Sequence, residues 1–331
     1  MISAGSRKIK MTEKHPLIAY ACYRRPEFLK VNLKQLLKNP ELSKYEVLFT
    51  LDHGYDPQVE EVIQWFAKQN ASKDVLVFKL PEKMSAMPAT ANIMAGYLIA
   101  TQRSDSYFIP AEEDIIPSTD FLRFNEYVYD NYLSKHDRLG WVAHKRRLDP
   151  IDGDPSVLIG DYQSTSPSCI PIKIIENHLL KHINNPMWYE NPQQYNMQHF
   201  LKSRIMPHIF LDHDCMLERI MEQDKLFVLK PDHARSAHIG FTGGISGRDK
   251  GEDISAMPFD ARVEMLEEII YDTQALKEKA HVNKHDIIGL PFEKEWQLIM
   301  LDTDRNRAVA SIWHYDLDNE FKDYMAQRII I

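Results

Sequence analysis

At 331 residues, with 44% hydrophobic and 27% charged positions, the chain has the make-up of a globular protein with one large domain or two closely packed ones. Its formal charge of −8 excludes a global basic field that would draw it onto nucleic acid or an anionic membrane. Cys22, Cys169 and Cys215 share no metal-ligand or redox spacing, and no run of about 18 apolar residues occurs, so the expectation is a cytoplasmic protein without a disulfide scaffold, signal peptide or membrane anchor.

In chain order, the first half alternates short apolar runs with segments of helical periodicity, the pattern of a parallel sheet flanked by helices. LIAYACY (17–23) predicts a strand and Arg24-Arg25-Pro26 the turn after it. PEFLKVNLKQLLKN (26–39) then sets Phe28, Val31, Leu33, Leu36 and Leu37 on one helical face, with Pro26 at a tolerated first-turn position. YEVLFTLD (45–52) predicts the second strand, HGYDP a turn, and PQVEEVIQWFAKQ (57–69) the second helix. DVLVFKL (74–80) follows as a strand, ATANIMAGYLIATQ (89–102) as a helix and SYFIPA (106–111) as a strand that delivers Glu112, Glu113 and Asp114 before a helix beginning near Ser118-Thr119-Asp120.

The second half is less regular. LGWVAH (139–144) reads as a strand, 149–169 as a polar loop, IKIIENHLL as a helix, 187–223 as mainly helix or loop, and LFVLKP (226–231) as another strand. In ARSAHIGFTGGISG (234–247) four of the twelve glycines fall within eight residues, which predicts a mobile loop. An amphipathic helix near 259–280 and a charged tail complete the chain.

Ligands of open α/β sheets bind at the carboxyl ends of the strands, so Asp52 and the acidic triplet fall on the edge where a ligand sits. Taken alone, the triplet admits three readings: a solvated turn or helix start, a carboxylate pair for acid–base work, or a divalent-cation site that also holds a phosphorylated ligand. Arg24 and Arg25 after strand one, Asp52 after strand two and Glu113-Asp114 after a later strand together supply what a nucleotide diphosphate needs: cations, an acid for ribose or base, and an acid for a metal. Neither a GxGxxG nor a GxxxxGK[ST] motif occurs, which argues against dinucleotide or P-loop binding.

The run LIAYACYRRPEFLKVNLKQLL, then VLFTLDHGYDPQVEEVIQWFAK, then FIPAEEDIIPSTDFLRFNEYV resembles the nucleotide-sugar domain of GT-A glycosyltransferases, family 13 in particular, the N-acetylglucosaminyltransferases of N-glycans and O-mannose. A strand ending in Cys-x-Arg, a second ending in Asp before a Gly-containing turn, and an acidic triplet followed by Asp-Phe occur here in that family's order. KPDHARSAHIGFTGGIS (230–246) is similar to a later stretch of the family, so the resemblance covers roughly 16–130 and 205–247.

The resemblance implies an α/β fold with a GT-A type, Rossmann-like mixed sheet flanked by helices. It divides the chain into a nucleotide-sugar-binding half (1–138), an acceptor-side half (139–250) and a C-terminal helical extension (251–331). It implies that Arg24, with Arg25 beside it, approaches the diphosphate of a UDP-sugar, that Asp52 bonds the uracil, that Asn92 lines the nucleotide pocket and that Ser246 in the Gly-rich loop touches the diphosphate. Glu113 would touch the donor sugar or ribose. Asp114 would ligate Mn²⁺ or Mg²⁺, with His238, or His233 as second choice, as a further ligand. Asp214, or Asp212 as fallback, would be the base of an inverting transfer.

The chain departs from the family in the expected absence of an N-terminal anchor and in reading Glu-Glu-Asp for Glu-Asp-Asp, and its acceptor half does not match. The acceptor therefore stays open between a glycan, a small molecule and a modified nucleic-acid base. A nucleotidyltransferase and a non-catalytic binding module are the alternatives. Three weaker features are His208 with LDHD (211–214) as a metal cluster, Trp188-Tyr189 and Tyr195 as an acceptor platform, and the basic run Lys145-Arg146-Arg147.

Overall fold

The computed structural model describes residues 14–82, 84, 89–137, 139–143, 168–200, 213–224, 226–231, 235–239, 254, 256–271, 298–302 and 307–312. Strand β1 (Leu17–Cys22) alternates strictly, with Ile18, Tyr20 and Cys22 on one face of the sheet and Leu17 and Ala19 on the other. It is buried on both, as parallel strands between helical layers are. Helix α1 (Pro26–Leu36) follows, with proline in its first turn, then a 3-10 turn over Pro40–Lys44, strand β2 (Glu46–Leu51) and helix α2 (Pro57–Ala67), whose N-cap Asp56 accepts the Gln58 N–H at 2.9 Å. Strand β3 (Asp74–Lys79), helix α3 (Thr90–Arg103), strand β4 (Tyr107–Glu112), the short strand β5 (Ile115–Pro117) and helix α4 (Phe121–Val128) complete the first half.

Beyond it come β6 (Leu139–Ala143) and β7 (Ser168–Pro171), then helical turns α5 (Ile172–Ile174) and α6 (Leu180–Ile183) joined by a π-helical turn over Ile175–Leu179. Helices α7 (Pro186–Glu190), α8 (Pro192–His199) and α9 (His213–Asp224) precede strands β8 (Phe227–Pro231) and β9 (Ser236–His238). Helix α10 (Phe259–Tyr271) and strands β10 (Leu298–Asp302) and β11 (Arg307–Ile312) follow.

The main sheet has the order β11-β10-β8-β6-β7-β4-β1-β2-β3, with β5 and β9 paired apart from it. Strands β3, β2, β1 and β4 run parallel, and β7 enters antiparallel between β4 and β6. This mixed sheet between helical layers is the α/β architecture expected from the sequence. On one face, Leu29 and Leu33 of α1, Val59 and Ile63 of α2 and Phe124 of α4 pack on Ile18, Tyr20 and Phe49. On the other, Met94, Tyr97 and Ala100 of α3 and Met216, Leu217 and Ile220 of α9 join Leu17, Ala19 and Phe108. Helix α10 lies on the outer side of α1, where Val263, Leu266 and Ile270 meet Phe28, Val31, Ile116 and Ile239.

Four local differences from the sequence-based expectation stand out. The IIP segment (115–117), which follows the acidic triplet and was not expected as a strand, is strand β5, paired with β9. Ser168–Pro171, expected at the end of a loop, is a strand inside the sheet, and β9 falls in what was expected to be a mobile loop. The C-terminal segment carries strands β10 and β11 as well as a helix, and β10 pairs antiparallel with β8.

Candidate functional site

The segments that follow β1, β2 and β4 leave the same edge of the sheet, because these strands are parallel and level: Cys22 lies beside Leu51, and Ala21 beside Glu112. Arg24 and Arg25, Asp52, and Glu113 and Asp114 are therefore gathered at one end of three neighbouring strands. The Asp52 N–H donates to the Cys22 carbonyl at 3.1 Å, and its Oδ1 accepts the His53 N–H at 2.8 Å. Gly54, in the same turn, has a φ of +77°, a left-handed backbone that glycine adopts without a Cβ clash. Its carbonyl accepts the Arg24 Nε–H at 3.0 Å, so the β2 turn orients an exposed guanidinium that follows β1.

The three acids of the triplet diverge. Glu112, at the end of β4, is partly exposed and lines a small pocket with Thr50, Gly96, Phe108 and His213. Glu113 turns inward, and its Oε2 accepts the Tyr23 N–H at 3.0 Å. Burial first, and then the neighbouring Asp114 carboxylate, push the Glu113 carboxyl up to about 8, against the lowering effects of the Tyr23 hydrogen bond and Arg25. Asp114 is 3% exposed, and its Oδ2 forms an ion pair with Arg25 Nη1. Its carbonyl accepts the Ile239 N–H at 2.8 Å, which fixes the peptide from the β9 side.

Two positions that hold this arrangement were not foreseen. Asn32 is fully buried on α1: its Oδ1 accepts the Tyr20 hydroxyl at 2.9 Å, while its Nδ2 donates to the Glu112 carbonyl at 3.0 Å and also to that of Ile115. The signal in the sequence was an amide between Val31 and Leu33 on an otherwise apolar face. The second is the buried pair of Arg235 with Asp120, whose Oδ1 also accepts the Ser118 hydroxyl at 2.6 Å. It ties the Asp-Phe end of the first resemblance to the Arg-Ser of the second.

The other expected site residues divide. Asn92 is buried, and its Nδ2 donates to the Cys22 carbonyl at 3.2 Å, bracing β1 from the first turn of α3. The β5–β9 pairing sets His238 opposite Ile115, the residue after Asp114, so its backbone stands beside the triplet. Asp214 lies in the first turn of α9, directly after His213, which shares a pocket with Glu112. That sets the start of α9 beside the face of β4 that carries Phe108, Pro110 and Glu112. Asp212, Ser246, His233, His208 and the run 145–147 lie outside the described residues. The acceptor platform is corrected: Trp188 and Tyr195 are each 1% exposed and pack in the core, with the Tyr195 hydroxyl 2.6 Å from His182 Nδ1.

A hard divalent ion needs several oxygen donors converging on one point. Among the described residues no group of three or more His, Cys, Asp or Glu side chains has that arrangement. The acid expected to ligate it is nearly buried and bears the Arg25 guanidinium, so an ion at Asp114 would have to displace a permanent cation. Among the described residues, the donor set as it stands does not fit a bound divalent metal.

No family model and no curated protein matches the chain. Among solved structures it is similar to the mannosyltransferase PcManGT from Pyrobaculum calidifontis, in complex with GDP-Man and Mn²⁺. That match has 11% identity and a TM-score of 0.36, over 50% of this chain and 47% of that one. The chain thus spans about half the length of the structure it matches. Among the described residues, no helix is long and apolar enough to cross a membrane.

Proposed function

We propose that the chain is a glycosyltransferase that takes its sugar from a nucleotide-sugar donor bound at the carboxyl edge of β1, β2 and β4. The observation that carries this reading is the gathering there of Arg24 and Arg25, Asp52 and the triplet, cations for a diphosphate beside acids for hydroxyl or amide groups. The family-13 resemblance adds a UDP-sugar as donor and an inverting displacement. The acceptor oxygen would attack the anomeric carbon, the bond to the diphosphate would break, and Asp214, with Asp212 as the alternative, would take the acceptor proton. The acceptor is a hydroxyl of a glycan, a small molecule or a modified base. No step is assigned to Mn²⁺ or Mg²⁺, because Asp114 is paired with Arg25.

The sharing of one pocket by Glu112 and His213, the residue before the expected base, supports catalysis over a binding-only module. A panel of UDP- and GDP-sugars, read by thermal shift and by product analysis with mixed acceptors, tests the reading. We expect one donor to raise the melting temperature and Asp52→Ala to remove that response. Binding without turnover or donor hydrolysis would identify a module, release of pyrophosphate would identify a nucleotidyltransferase, and no nucleotide response at all would refute the proposal.

A further inference from the structure

The pairing of Arg25 with Asp114 is the point at which this site departs most from its resemblance, and it is built in from both sides. Arg25 is the N-cap residue of α1, and its carbonyl accepts the Leu29 N–H at 3.1 Å, so its backbone is held by the first helical turn. Its guanidinium lies 5.5 Å from the centre of the Phe28 ring, and the side chain as a whole is only 14% exposed. Asp114 is held in turn by the Ile239 N–H on its carbonyl, and the turn that carries it by Asn32. An arginine stays charged at every working pH, and a carboxylate in this setting gives up such a partner only by leaving a buried cation uncompensated.

Arg24 is exposed beside it and anchored through Nε to Gly54. Two consecutive arginines at the start of α1 bring the same formal charge as one divalent ion. They present it as planar hydrogen-bond forks suited to phosphate oxygens. We propose that Arg25, oriented by Asp114, takes the place of a divalent cation, so that Arg24 and Arg25 hold the donor's diphosphate without a metal. The role of Asp114 is then to position a guanidinium. This rests on the nucleotide-sugar reading above.

The test uses the full-length chain stripped with EDTA and two separate readouts. Free Mn²⁺ is followed by its electron paramagnetic resonance signal, and UDP and GDP binding by calorimetry with EDTA or with Mn²⁺. Expected are no Asp114-dependent Mn²⁺ uptake by the wild type and nucleoside diphosphate binding of equal strength in both media. Arg25→Ala should weaken that binding by roughly tenfold or more, as loss of a charged phosphate contact does, and should create Mn²⁺ uptake by releasing Asp114. If Arg25→Ala does not fold, Arg25→Lys, which keeps the charge and loses the fork, should show weakened binding in EDTA. Mn²⁺ uptake by the wild type that Asp114→Asn abolishes, with diphosphate binding that requires it, would overturn the inference while leaving the nucleotide-sugar reading intact. Absence of UDP and GDP binding in either medium would overturn both.

Discussion

Asp120 and Arg235 show how much of this site hangs on single side chains. Each is 1% exposed, they meet at 3.4 Å, and the guanidinium also lies 5.2 Å from the Phe124 ring centre. Removing one member of such a pair strands the other charge in the interior. Asp120→Ala should therefore cost about 3–5 kcal/mol in urea unfolding, and a cost no larger than that of a surface change would show that water reaches Arg235. His182 makes a second residue-scale case. Burial first, then the nearby Lys181 and His199 charges, lower its pKa from 6.5 to about 4, with Asp224 acting in the opposite sense. Between those values the unfolded chain binds a proton that the folded chain refuses, so the stability that neutral His182 contributes is complete above pH 6.5 and falls away toward pH 4. Comparing urea midpoints at pH 7 and pH 5, His182→Gln should lose less stability on acidification than the wild type. Residue identities at the ligand edge were legible because a strand end shows itself in the sequence. The Arg25–Asp114, Asp120–Arg235 and Asn32 contacts were not, since nothing local says which distant partner a polar group meets.

At the scale of elements, periodicity located most of the first half, because each strand there is an apolar run and each helix has an amphipathic face. It failed for β5 and β7, which are three and four residues long, too short for alternation to register. It also merged α5 and α6 into one helix, because a π-helical turn keeps apolar residues close to helical spacing. Helix α3 carries the sharpest steric requirement. A Cβ on Gly96 would lie 3.2 Å from Ala19 Cβ and 3.6 Å from the Phe108 ring, so α3 rests closely on β1 and β4 and a side chain there would make its neighbours give by a few tenths of an ångström. Gly96→Leu should destabilise by about 1–3 kcal/mol through overpacking, despite leucine's better helix propensity. Chemical denaturation measures it, and an unchanged midpoint would show that α3 can lift off the sheet without loss.

Across the whole molecule, α10 joins the C-terminal part of the chain to the element that presents Arg25. Besides its apolar face, it brings Glu267 to Lys34 at 2.7 Å and Arg262 to Glu27 at 3.5 Å. Leu266 is fully buried against α1, and Leu266→Ala should cost about 2–5 kcal/mol in thermal or urea unfolding. A negligible loss would mean that α10 is an ornament on a fold complete without it. The amphipathic character of this helix was legible; that it covers α1 was not, because an apolar stripe records the need for a partner and not its identity.

The β5–β9 pairing has a consequence for biosynthesis. Strands β1 to β4 emerge early and form a contiguous parallel block among themselves, so their pairing can begin on a nascent chain. The Asp114 carbonyl receives a hydrogen bond from the Ile239 N–H, and Ile115 pairs with His238, so this edge closes across a long stretch of chain. A polypeptide halted before β9 would have the opening half of the sheet and an unfinished edge. We expect this edge to be completed only once residues 236–239 have left the ribosome, a timing that a pulse of arrested nascent chains would reveal.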